Sequence, residues 1–275
     1  MKPSFIAFLA LAVVSGVPRP GAAQSGSESC EVPQEIRDVR LAGLDRHGDL
    51  LLEDGSVIRL AGLAPRQSEA ERGQLATAVR PWLGRSFRLA ALGNADRWGR
   101  VPARLLVPAE SPGAAAGRDL TALLLATGAV LRLPEAGLGG CNELWRAAEA
   151  GHIARTASDR AVSATPATNL APTGLPVIDG HDPAAMRAQA GRIALVEGRI
   201  AAVGERAQRT YLNFTRRRGA GGSIVLSRAL WRELQRAGWT ASTLTGKRVR
   251  VRGVIEGRDG LLIAIESRAA LEMID

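Results

Sequence analysis

Between residues 36 and 104 the chain advances in short apolar stretches broken by turn residues: VRLAGLD, LLLEDGSVIRLAGL, SFRLAAL and VPARLLV. This punctuation restricts the fold more than any other feature. Strands need only about 4–8 residues whereas helices need about 10 or more, so runs of this length favour strands joined by tight connections. Glu53-Asp54-Gly55-Ser56, set between two such runs, reads as a hairpin, because these residue types accept the backbone angles of a tight turn.

Helical stretches are interleaved with these runs. Over 66–83, Leu75, Val79 and Leu83 recur four apart behind Pro65, a residue suited to a helix opening. Asp119 is placed to cap DLTALLLAT and Gly128 to end it. CNELWRAAEAGHIAR follows as a further helix, weakened by Gly151. Residues 156–190 lack a sustained period and are rich in Ala, Thr and Pro, the composition of a linker. Strand signals then resume in RIALVEGRIAAVGE, RTYLNFTR, GSIVLS and KRVRVRGVIEGRDGLLIAIES, with SRALWRELQRAGW helical between them behind Ser227. The expected fold is mainly β with helices (α+β): an OB-type five-stranded barrel with packed helices over 30–155, then a second small OB-like barrel over 191–275.

The chain opens with Lys2, an apolar run FIAFLALAVVSGV and a small-residue point after Ala23, so 1–23 reads as an export signal peptide. The run is shorter than the ~20 residues of a spanning helix, and no later stretch qualifies, which leaves no membrane span in the mature form. A periplasmic or secreted protein is expected. Cys30 and Cys141 lie in a chain bound for an oxidising compartment; they either pair within the chain or stand as two thiols. Two Cys and three His supply no cluster at zinc-ligand spacing.

Charge separates the two halves. Residues 30–155 hold 16 Arg against 15 acids, whereas 191–275 hold 16 Lys plus Arg against 8 acids. The basic second half favours nucleic acid or another polyanion as partner.

Four phrases stand in one order across the first half: HGDLLLEDGSVIRLAGL, ADRWGRVPARLLV, GRDLTALLLATGAV and CNELWRAAEAGHIAR. In them the sequence resembles the staphylococcal nuclease (thermonuclease) family over about residues 36–155. The resemblance implies an OB-type barrel and calcium-assisted phosphodiester hydrolysis. That chemistry uses two aspartates on calcium, a glutamate that takes a proton from water, and two arginines that neutralise the phosphate. Asp49 matches the first metal-binding aspartate, Arg59 the first phosphate-binding arginine, and Arg100, closing Asp96-Arg97-Trp98-Gly99-Arg100, the second.

The remaining acids are missing. Aligned without a gap, Ala64 and Gln67 fall at the second aspartate and the glutamate base; with a one-residue deletion, Arg66 takes the base position. A positioned base is worth roughly 10² to 10⁴ in rate. Its loss, with that of a metal ligand, implies a degenerate phosphodiesterase that binds nucleic acid without a cofactor and keeps Arg59 and Arg100 as phosphate contacts. The same three residues also read as structural, with Asp49 ending a strand and Arg59 and Arg100 as internal salt-bridge partners that brace the barrel. Two alternative functions stand beside the leading one. One is an active calcium-dependent nuclease whose metal site is rearranged around Asp49 with Glu69 or Glu71; the other is a periplasmic protein-interaction scaffold.

In the second half, GRIALVEGRIAAVG, TYLNF and LTGKRVRVRGVIEGRDGLLIAI resemble a small OB-type module often appended to nuclease-like proteins. Strand alternation places Thr210, Leu212 and Phe214 on one face and Tyr211, Asn213 and Thr215 on the other. An exposed Tyr211 would stack a base, with Arg216, Arg217 and Arg218 on phosphates and Arg250 extending the track; packed inward, Tyr211 would be a barrel residue and these arginines a solvated surface. Trp231 and Trp239 are expected in the core.

Overall fold

A computed structural model describes residues 30–31, 35–108, 118–160, 174–217 and 219–274. The expected signal peptide at 1–23, residues 161–173 of the expected linker, and Arg218 lie outside the described residues.

The first unit contains β1 (Ile36–Leu44), β2 (Leu50–Leu52), β3 (Val57–Leu60), α1 (Glu69–Val79), β4 (Ser86–Ala91), β5 (Arg100–Leu106), α2 (Leu120–Thr127) and α3 (Gly139–Arg160). Its strands close a barrel in the order β1-β2-β3-β5-β4. The β3–β5 pair is parallel and the others antiparallel, an order that fits an OB-type barrel. Alternation turns Leu41, Leu52, Ile58, Phe87 and Leu105 inward, and the helices close the core with Leu75, Leu120, Leu124 and Trp145.

Local chemistry sets the helix ends. Ser68 caps α1 through the Glu71 amide, and Arg80–Trp82 tightens into a 3-10 turn around Pro81. The expected helix over 66–83 therefore stops early, and Leu83 is exposed. Asp119 caps α2 and is buried; it also accepts from Trp145 Nε1 at 3.1 Å and Arg104 Nε at 2.9 Å, tying β5, α2 and α3 together. Gly128 ends α2 in the left-handed conformation. Cys30 and Cys141 form a disulfide that fastens the segment before β1 to α3.

The second unit contains β6 (Val177–Asp179), α4 (Pro183–Ala188), β7 (Ile193–Arg199), β8 (Ala202–Glu205), β9 (Arg209–Asn213), β10 (Ser223–Ser227), α5 (Arg228–Arg236), α6 (Ala241–Leu244), β11 (Arg248–Glu256), β12 (Leu262–Ile265) and β13 (Leu271–Met273). These strands form one eight-stranded sheet in the order β6-β7-β11-β12-β10-β9-β8, with β13 also on β11. Over this sheet α5 lays Leu230, Trp231 and Leu234 into a core shared with Phe214, Ile224 and Val251, and Trp239 joins them. The boundary expected at 156–190 narrows here. Its first residues continue α3, while Val177–Asp179 pairs in parallel with β7 and Asp182 caps α4.

The units pack on one another. Ala64 of the first meets Leu175, Ile193 and Leu195 of the second in a separate small core. Beside it Glu149 on α3 accepts from both amino nitrogens of Arg252 on β11, at 2.5 and 2.7 Å. Arg132 approaches the same carboxylate through Nε at 3.4 Å.

Candidate nucleic-acid interface

The barrel brings Asp49, Arg59 and Arg100 together and then engages each of them. Asp49, 4% exposed, follows a Gly48 turn and accepts from Arg100 Nη1 at 3.2 Å. Arg100 also donates to Asp96 through Nε at 2.9 Å, and Asp96 receives the amides of Trp98 and Arg100 as well. These hydrogen bonds, first of all that of the Arg100 side chain, hold Asp96 below the ordinary aspartate value; the same Asp96 bond raises Arg100. Arg59 makes a two-pronged bond to Glu135, at 2.8 and 3.2 Å, and Glu135 further accepts from the Gly62 amide at 2.9 Å. The Glu135 bond raises Arg59 above the usual arginine value. In the first unit, each of the two guanidinium groups expected on a phosphate thus already has its own carboxylate.

Neither residue at the expected base position is poised to take a proton. Gln67 turns away from the cluster: its Nε2 donates to Gly191 O, and its Oε1 accepts from the Ile193 amide at 3.2 Å, so it struts the two units together. Arg66 instead packs against Gly48, and Asp49, Glu71 and Asp45 act on its charge. Burial lowers Arg66 below the usual arginine value, with those carboxylates opposing. Glu71 Oε2 accepts from the Gln67 amide at 2.7 Å, a helix-opening bond. Among the described residues no group of three His, Cys, Asp or Glu is placed to hold a metal ion. Asp49, the carboxylate matched to a metal ligand in the sequence, is engaged by Arg100. On the outside Trp98 is exposed, with Arg97 and Arg100 over its ring at 3.8 and 4.8 Å.

A groove of about 700 Å³ lies on the second unit. Its floor is the face of β8, β9 and β10 bearing Gly204, Tyr211, Asn213 and Ser223. Thr210, Leu212 and Phe214 face the core, as alternation requires, so Tyr211 is half-exposed in the groove. Asn213 is pinned there: its side chain accepts from Ser223 Oγ at 2.8 Å and donates to Ala202 O at 3.3 Å. Around the rim stand Arg206, Arg216, Arg217 and Arg258, all exposed, with Asp259 as the acidic member. Among the described residues none of these four arginines has an ion-pair partner. Glycines at 204 and 219 also line the groove with room where a side chain would stand, whereas Gly221 is packed against Thr215 and the Gly180 carbonyl.

Of the residues expected to contact nucleic acid, Tyr211, Arg216 and Arg217 meet in this groove. Arg250 does not: it pairs with Glu197 at 2.6 Å and faces Glu272 on another side of the sheet. Arg206 and Arg258 were not expected. They stand in the turns GERAQRT and EGRDGL, whose nearness to Tyr211 is visible only once the strand order is known. Glu135, in a Pro/Gly-rich loop 76 residues from its partner Arg59, carries no local signal at all. No family model matches the chain, and no curated protein does.

Proposed function

We propose that the chain binds single-stranded nucleic acid in the groove of the second unit, and that the first unit is a nuclease-like barrel without hydrolytic chemistry. The observation that carries this reading is the meeting of Tyr211 with four exposed arginines lacking ion-pair partners among the described residues. A tyrosine face stacks any base, and guanidinium groups at the rim hold the phosphates. We further infer that the second unit is an OB-type module. The parallel pair β10–β12 repeats β3–β5, and β7 and β8, two residues apart in the chain, occupy opposite sides of the path like halves of one bent strand. OB-type barrels hold oligonucleotides on their second and third strands, between the loops after the first and fourth. Here those are β9 and β10, with Arg206 and Arg258 in the loops.

In the first unit, a phosphate reaching Arg59 or Arg100 has to displace Glu135 or Asp96, so these arginines serve as braces. The resemblance to thermonucleases then concerns ancestry of the barrel. The disulfide supports a periplasmic or secreted setting.

Fluorescence anisotropy with a labelled oligothymidylate tests the reading. Four phosphates neutralised on a single strand give a slope of log K against log salt of roughly −2.8. Tyr211→Ala should weaken binding by a factor of roughly 5 to 150, the equivalent of ~1–3 kcal/mol for one stacked base. Absence of binding at low ionic strength would overturn the proposal in favour of a protein-interaction scaffold.

A further inference from the structure

A second cavity, of about 420 Å³, lies between α3 of the first unit and β7 and β11 of the second. Its polar end is formed by Arg132, Arg252 and Glu149. The two arginines are only 4% and 5% exposed, so among the described residues two positive charges are buried against one carboxylate. Glu149 is fully engaged by Arg252, and Arg132 reaches it only at 3.4 Å. Nη1 of Arg132 and Nε of Arg252 are buried and donate to no described residue. Burial, followed by the field of Arg252, pushes Arg132 below the usual arginine value. Burying one unit of unbalanced charge is unfavourable until an anion joins it.

The apolar part of the wall is formed chiefly by Ile153, Leu195 and Ala270, with Arg146, Arg250 and Glu272 completing the lining. At the mouth Arg250 is held by Glu197 and Glu272, and Arg146 by Glu143, so these outer charges are already balanced. The volume falls in the usual range for small-molecule sites, which favour contacts between domains. We propose that this cavity binds a small organic monoanion, a carboxylate with a short apolar body, whose head group meets Arg132 and whose body lies against Ile153 and Leu195. One carboxylate balances the single unpaired charge, and its two oxygens match the fork of a guanidinium. The ligand would touch both units at once, so its binding would strengthen their contact.

The test is thermal unfolding and calorimetric titration of the full chain with benzoate, against benzamide and chloride at equal ionic strength. Benzoate should bind saturably and raise the midpoint by several degrees, and the neutral amide and chloride should not. Arg132→Met should abolish the benzoate response while leaving the unliganded midpoint unchanged or higher, because the unbalanced charge is gone. Ala150→Trp, on the exposed side of the cavity mouth, should fold as wild type and weaken benzoate at least tenfold, which keeps the test valid if Arg132→Met does not fold. No benzoate binding, an equal response to benzamide, or a response retained in either variant would overturn the proposal.

Discussion

Glu149→Ala probes the contact between the units most severely. The carboxylate is buried on α3 and receives two short charge-assisted bonds from Arg252, at 2.5 and 2.7 Å, plus two at 3.4 Å from Arg132 Nε and the Arg132 amide. The short pair dominates, since bonds near 3.4 Å lie at the limit of useful geometry. Truncation would leave two buried guanidinium groups with no counter-ion, and breaking a buried pair in this way costs about 3–5 kcal/mol. For a chain of this size, a shift of roughly 2–4 °C per kcal/mol corresponds to a midpoint lowered by roughly 6–20 °C. Arg252 and Glu149 belong to different units, so unfolding should also lose cooperativity, with two resolved transitions by calorimetry. Removing Arg252 as well, in the double variant with Arg252→Met, should recover part of the loss, because one of the stranded charges is gone. A single transition displaced by less than ~2 °C would show that the buried cluster does not hold the units together.

Three further perturbations test other joints of the fold. The Cys30–Cys141 bond closes a loop of 111 residues, so reduction or Cys141→Ser should lower stability by about 4–5 kcal/mol on the chain-entropy estimate, read from urea midpoints with and without reductant. Gly62 has φ +82° and lies under the Trp145 ring, whereas Gly84 has φ +70° and open space around it. Gly84→Ala should cost about 1–2 kcal/mol from backbone strain alone, and Gly62→Ala about 1–3 kcal/mol beyond that from overpacking; equal losses would argue against close packing at Trp145. Asp96 has a depressed folded-state pKa because Arg100 donates to it. Its contribution is therefore present above the unfolded value of about 3.9 and lost as pH falls through the folded one. In an NMR titration Arg100→Met should return the Asp96 carboxyl toward its ordinary range.

Local signals exposed much of the fold. Asp119 and Gly128 bracket α2, Ser227 caps α5, and alternation in residues 210–215 sorts core from groove. The barrel of the first unit was legible because its strands are short, amphipathic and separated by turns. Where a partner is distant in the chain, legibility fails. β6 is a three-residue strand that exists only because β7 lies beside it, and α4 has six residues. Pro81 cut the helix short where apolar spacing alone carried it on to Leu83. In the site, the sequence left Arg59 and Arg100 open as phosphate clamps or internal braces: Asp96 stands four residues from Arg100, but nothing near Arg59 reveals Glu135, and the contacts of Gln67 on Gly191 and Ile193 lie more than 120 residues away. The groove was half visible: Tyr211, Arg216 and Arg217 share one segment, and Arg206 and Arg258 join them through tertiary folding.

The most direct measurement compares oligonucleotide affinity at fixed salt for two variants of the full chain. One replaces Arg206, Arg216, Arg217 and Arg258 by Gln, and the other replaces Arg59 and Arg100 by Gln. The first should lose affinity by at least 100-fold, roughly 0.7 kcal/mol per phosphate contact removed, and the second, if it remains folded by circular dichroism, should bind within about threefold of wild type, a difference near 0.7 kcal/mol. The opposite pattern, with binding kept by the first and lost by a folded second, would contradict the proposed function.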